Sequence, residues 1–211
     1  MNTDQLVDML ARNAGPAPRT TALTRLIPAM LFGGLCSMLL SWWLIEPLPI
    51  EIFYSNATAI KLSYAALLAV AACWLTARLA RPIAHITGAR RWVVGTIAFM
   101  MLAAVLILTL TPANQRLEAI FGNTWLTCPW TLMSFSLPAL AAILWAVRGL
   151  APTQLAAAGG ACGLLAGALG AMGYALACPE QSSVFIAIWY TLGILLTAWI
   201  GRILGPIVLR W

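Results

Sequence analysis

Apolar residues run through this chain in six long stretches, at 27–46, 60–78, 92–111, 131–147, 154–177 and 184–204, each closed by a short polar or proline-bearing segment. A helix needs about 20 such residues to cross a hydrocarbon core. The pattern therefore predicts an all-α fold, a polytopic membrane helix bundle of six transmembrane helices, with the fourth span the shortest. Before the first stretch the rhythm changes. In "MNTDQLVDMLARNAGPAP", Leu6 and Leu10 are four apart and flanked by Val7 and Met9, a short apolar stripe. Asn2 or Thr3 can cap a helix there, Asp4 suits its positive end, Gln5 follows Asn2 by three as in a capping box, and Gly15-Pro16 supplies a stop. The chain thus divides into an amino-terminal segment, 1–25, and a six-helix membrane domain, 26–211.

An isolated helix of about ten residues is marginal in water, because nucleation is costly and few hydrogen bonds follow. The amino-terminal piece needs a surface to fold on: lipid, the chain's own loops, or a partner with an apolar groove. Lipid-binding helices usually carry Lys and Arg on the polar face, whereas Asp4 and Asp8 stand here with Arg12 as the compensating charge. A protein groove with a basic rim fits better. The alternative is a disordered tether that binds nothing.

Composition supports the membrane reading and adds a direction. Hydrophobic residues make up 62% of the chain and charged ones only 9%, too few to coat a soluble domain. The net charge of +6 does not imply nucleic-acid binding, because the basic residues are spread along the segments that flank the spans. Of 12 basic residues, 10 fall on one side: Arg12, Arg19, Arg25, Arg78, Arg81, Arg90, Arg91, Arg148, Arg202 and Arg210. Lys61 and Arg116 fall on the other. By the positive-inside rule both termini are cytoplasmic and the loops after spans one, three and five face the exterior, which in a bacterium with an envelope would be the periplasmic side of the inner membrane. The first 25 residues lack the apolar core of a signal peptide, so they are expected to stay in the mature protein. Trp42, Trp43, Trp125 and Trp130 cluster at the exterior boundary, where they read as interfacial anchors.

Catalytic patterns are missing: there is no HExxH pair, GxSxG elbow or P-loop. Every Asp, Glu, Lys and Arg can be placed at a span end or in a loop, which argues against carriers and ion pumps. Gly159, Gly163 and Gly167 form a four-residue stripe in the fifth span, read as close helix packing in preference to a dimerisation face. "RLARPIAHITGARR" reads as a topological anchor on anionic lipid.

Cysteine is the informative residue. Cys36, Cys73 and Cys162 lie within spans and read as small packing groups. Cys128 and Cys178 stand at exterior span ends, each followed by proline, which interrupts the helix and is expected to expose the sulfur at a turn. Spacing leaves three readings open: a structural disulfide, a reversible pair that is oxidised or bridged by a soft metal ion, or two unrelated thiols. His85 lies across the membrane from them, so a tetrahedral zinc site is poorly supported.

Together, "TDQLVDMLA", the Pro/Arg-containing linker, the six spans and the two exterior Cys-Pro sites resemble the NrsF-type membrane anti-sigma factors of proteobacteria, over essentially the whole chain. That resemblance implies a binding protein and not an enzyme. The cytoplasmic segment, through Thr3, Asp4, Leu6, Val7, Leu10 and Ala11, would sequester an extracytoplasmic-function sigma factor, with no direct contact to nucleic acid. Metal or oxidative stress acting through Cys128 and Cys178 would release it. A soft metal ion at that pair is the one cofactor it suggests. The rivals are a membrane thiol-disulfide oxidoreductase coupled to quinone and a passive membrane scaffold.

Overall fold

The computed structural model describes residues 3–13, 21–45, 55–81, 85–150 and 152–210. Asn2, Gly15, Pro16 and Pro82 lie outside them. Among the described residues every regular element is helical. Helix α1 spans Thr3–Asn13. Six long helices follow: α2 (Thr21–Leu44), α3 (Asn56–Leu79), α4 (Thr87–Leu110), α6 (Cys128–Arg148), α7 (Leu155–Ala175) and α8 (Ser183–Val208), each long and apolar enough to cross a membrane. Between α4 and α6 a 3₁₀ turn, Ala113–Gln115, leads into the short α5 (Arg116–Phe121).

Five of the six helices are longer than the apolar runs that announce them, and α7 is shorter, starting at Leu155 and ending at Ala175 within the run 154–177. Helix α2 begins at Thr21 instead of 27, and α6 at Cys128 instead of 131. In α6 the extra turn is favoured because Pro129 sits in the first turn, where its missing N–H has no intrahelical partner to lose. Pro28 and Pro138 lie within α2 and α6, as membrane helices tolerate where neighbours satisfy the freed carbonyls.

Helix α7 is the centre of the bundle, buried along most of its length and packed by α8, α3, α6 and α2. Its glycines explain why. The four-residue stripe meets small residues and backbone of α8: Gly159 lies against Gly201 and Gly205, and Gly163 against Thr197 and Ala198. The stripe is thus spent on an internal seam, where close backbone approach gains dispersion contacts that lipid would not supply. On other faces of α7, Gly170 and Gly173 admit Ser136 of α6 and Ser37 of α2.

One end of the bundle gathers the start of α3, the end of α4, α5, Cys128, Cys178 and the start of α8. The start of α2 lies at the other end, where the Arg25 guanidinium donates to the Gly149 carbonyl at 3.0 Å, and Gly205 of α8 packs against Leu155. Both the α2 entry and the α8 exit are therefore at the end away from the thiols.

Candidate functional site

Cys128 opens α6, and its amide donates to the Thr124 carbonyl at 2.9 Å. Cys178 follows α7 by three residues, with its own amide donating to Tyr174 at 3.0 Å, so one more helical turn closes before Pro179 ends it. The two thiols, 50 positions apart in sequence, are brought side by side. Both residues are 0% exposed. This corrects the expectation that proline would turn each sulfur outward. Proline does end the Cys178 turn, but the preceding backbone hydrogen bond folds the thiol back into the bundle.

Lys61 gives a second correction. Placed by sequence in the exterior fringe, it stands instead in the second turn of α3, 0% exposed, and its ammonium donates to the Cys178 carbonyl at 2.7 Å. An ammonium withdrawn from water needs acceptors, and here the non-helical backbone around Cys178 provides one. The spans are thus not free of ionisable groups. A lone lysine five residues inside an apolar helix was the signal in the sequence, since an unpaired amine there has to find a partner.

Two tyrosines close the chamber. Tyr174, one turn before Cys178 on α7, stacks against Tyr190 of α8 with ring centroids 5.7 Å apart and meets Phe135 edge-on at 6.0 Å. Tyr190 belongs to a π-helical stretch, Ile186–Tyr190, in α8. Its hydroxyl lies beside the Cys178 thiol, yet it is buried without an acceptor in hydrogen-bond geometry. Below it, Tyr64 of α3 and Thr191 of α8 share a hydrogen bond of 2.7 Å.

Cys178 lies outside the membrane-spanning helices, and its surroundings favour its thiolate. The neighbouring Cys128 thiol contributes most, burial opposes it, and the Lys61 ammonium and the Glu180 amide add to the lowering, so the thiol is pulled down to about 6.

Loops hold the pair together from outside. One Glu180 carboxylate oxygen accepts from the amides of Asn123 and Thr124 at 2.7 and 3.0 Å and from the Thr124 hydroxyl at 3.1 Å. Gly122, at φ +50°, permits that approach, because a side chain there would strike the Glu180 carboxylate. Ser182 donates to Ala119 at 2.7 Å and the Trp189 indole to Ile120 at 2.8 Å. Trp125, read as a lipid anchor, also packs against Trp189 at 5.6 Å and Phe121 at 5.3 Å. Glu180→Ala, which removes the shared acceptor, is expected to cost about 1–3 kcal/mol. The expected readout is a lower unfolding midpoint in detergent and faster alkylation of Cys178 by a small maleimide.

Among the described residues no group of three or more His, Cys, Asp and Glu side chains could hold a metal ion. His85 is exposed in the segment between α3 and α4, far along the chain from either thiol. At the amino terminus, Thr3, Asp4, Leu6, Val7 and Leu10 are all exposed, and Ala11 belongs to the same helix. Leu6 and Leu10 are 41% and 63% exposed, an apolar stripe turned outward.

No solved structure matches the chain. Two curated proteins do. The anti-sigma-F factor NrsF of Caulobacter vibrioides and the probable anti-sigma-F factor NrsF of Azospira oryzae are each 35% identical to it, aligned over 100% of both chains. The family model described as NrsF, negative regulator of sigma F, matches residues 10–211, which takes in the whole helical bundle and the thiol pair. The chain belongs to the NrsF family of negative regulators of sigma F.

Proposed function

We propose that the chain is an inner-membrane anti-sigma factor that holds an extracytoplasmic-function sigma factor through α1 and releases it when Cys128 and Cys178 are oxidised to a disulfide. The observation that carries this reading is the meeting of the two sulfurs. Two thiols brought together from distant parts of the chain, beside a cation that stabilises a thiolate, are arranged for joining. The basic residues gathered at the opposite end favour that end as cytoplasmic, which puts the thiols toward the periplasm, where a disulfide can persist. Helix α1 precedes α2 in the chain, and α2 begins at the basic end.

The donor set favours oxidation over a resident soft metal. Two sulfurs leave such an ion short of ligands, and the Lys61 ammonium repels a cation. A quinone-coupled oxidoreductase would need a second thiol pair to relay electrons, and Cys36, Cys73 and Cys162 stand singly on three different helices.

Switching from 1:99 to 99:1 requires about 5.5 kcal/mol of differential stabilisation. For a two-electron thiol couple that equals ~120 mV, within the spread of protein disulfide potentials. The mechanical output starts at Cys178. Its carbonyl holds Lys61, so moving the sulfur toward Cys128 shifts an anchor of α3, and α3 runs to the basic end.

Replacing Cys128 and Cys178 with serine is the test. The double variant is expected to retain the sigma factor but to lower oxidant-induced release at least about tenfold, read from a sigma-dependent reporter. Undiminished release would overturn the sensory role. Release by cadmium with no disulfide formed would favour the soft metal as stimulus.

A further inference from the structure

The meeting of Cys128 and Cys178 does not say which sulfur reacts first, but their surroundings are unequal. Around Cys178 stand polar groups from every element packed on it: the Cys128 thiol of α6, the Lys61 ammonium of α3, the hydroxyls of Tyr174 of α7 and Tyr190 of α8, and the Glu180 amide of its own loop. Lys61 is bonded to the carbonyl of Cys178 itself. Cys128 has the partner thiol and Tyr174 as its neighbours and feels Lys61 only through space.

Tyr190 provides the second observation. Its hydroxyl is 0% exposed, beside the Cys178 sulfur, and without an acceptor, a condition that buried donors rarely tolerate. An oxygen added to Cys178 would supply that acceptor. A cleft lined by Gln115, Glu118, Gly122, Asn123, Glu180 and Ser182 opens at the loop that follows Cys178.

We propose that Cys178 is the thiol that meets the oxidant first, that Cys128 resolves it, and that Lys61 and Tyr190 are the positioning residues that set this order. The proposal deepens the redox-switch reading and rests on it. With hydrogen peroxide as oxidant, the Cys178 thiolate attacks one peroxide oxygen, an S–O bond forms and the O–O bond breaks. Hydroxide leaves and takes up the thiol proton as water, and the sulfur, oxidised by two electrons, becomes a sulfenic acid that accepts a hydrogen bond from Tyr190. Cys128 then attacks that sulfur, the S–S bond forms and the S–O bond breaks. The departing hydroxide takes the Cys128 proton, so two thiols and one peroxide give one disulfide and two waters.

The test uses the full chain in nanodiscs, hydrogen peroxide as probe, dimedone as sulfenic-acid trap and peptide mass spectrometry as readout. Cys128→Ser should trap dimedone on Cys178 at least about tenfold faster than Cys178→Ser traps it on Cys128. In the Cys128→Ser background, Lys61→Met should slow trapping about tenfold at neutral pH and displace its pH profile upward, while Lys61→Arg restores most of the rate. Tyr190→Phe should lower the trapped yield severalfold. Equal or faster trapping on Cys128 overturns the proposal, as does a Lys61→Met profile that matches its parent. Should Lys61→Met fail to accumulate, the comparison of the two serine variants and Tyr190→Phe decide the matter. Disulfide formation with Cys128 reacting first defeats only the order, whereas no disulfide in the unaltered chain defeats the redox-switch reading as well.

Discussion

Gly163→Leu is expected to eliminate folded protein, while Gly34→Ala and Gly95→Ala leave its amount unchanged. A β-carbon added at Gly163 would lie 2.7 Å from Cα of Ala198 and against the Thr197 carbonyl. Carbon atoms pack at about 3.5–4.0 Å, and backbone atoms cannot rotate aside as a side chain can. The α7–α8 seam would have to open by nearly an ångström for alanine and further for leucine. Overpacking of this kind costs about 1–3 kcal/mol for the smaller change. Leucine multiplies it, because Gly159, Gly201 and Gly205 depend on the same approach. Helix α7 is also packed by α2, α3 and α6, so the displacement cannot stay local. At Gly34 and Gly95 nothing lies within 4 Å, and alanine there gains helix propensity. Membrane-fraction yield and a monodisperse size-exclusion peak in detergent distinguish the cases. Wild-type behaviour of Gly163→Leu would show that the seam is not what holds the bundle.

The same residues show how far a sequence can be read in a membrane protein. Six helices were legible because lipid forces a long apolar run onto any backbone that crosses it, and the fifth run announced its packing through the glycines at 159, 163 and 167. Helix ends were not, because polar residues such as Thr21, Asn56 and Thr87 satisfy helical backbone as readily as loop backbone. The thiol pair could be suspected from its two prolines, yet its burial could not, since that depends on where the amide of Cys178 finds an acceptor. Lys61 was misplaced for a related reason. Charge bookkeeping assigns a lysine near a span end to water, and only the fold shows the Cys178 carbonyl waiting inside. Tyr190 and Glu180 gave no periodic or motif signal, because their roles arise where a π-helical turn of α8 and the loop after α7 meet distant parts of the chain.

Replacing Leu6 and Leu10 together with glutamate is expected to weaken sigma-factor capture by more than about 100-fold while the bundle inserts as before. The two side chains lie one turn apart on α1 and are exposed, so nothing in the bundle depends on them. In a partner's groove each leucine would bury apolar surface worth about 1.5–3 kcal/mol, and every 1.4 kcal/mol is a tenfold change in affinity. Glutamate removes that burial and adds a charge that the groove would have to desolvate. Asp4 and Asp8 carry a different part of the interaction: with a basic rim, Asp4→Lys and Asp8→Lys should slow association and weaken its salt dependence more than they raise dissociation. Co-purification of the cognate sigma factor from detergent-solubilised membranes measures the first effect, and association rates at two ionic strengths measure the second. Capture that survives the double glutamate change would move the holding surface off α1 and onto the basic loops between the helices, leaving the thiol chemistry intact but requiring a different output.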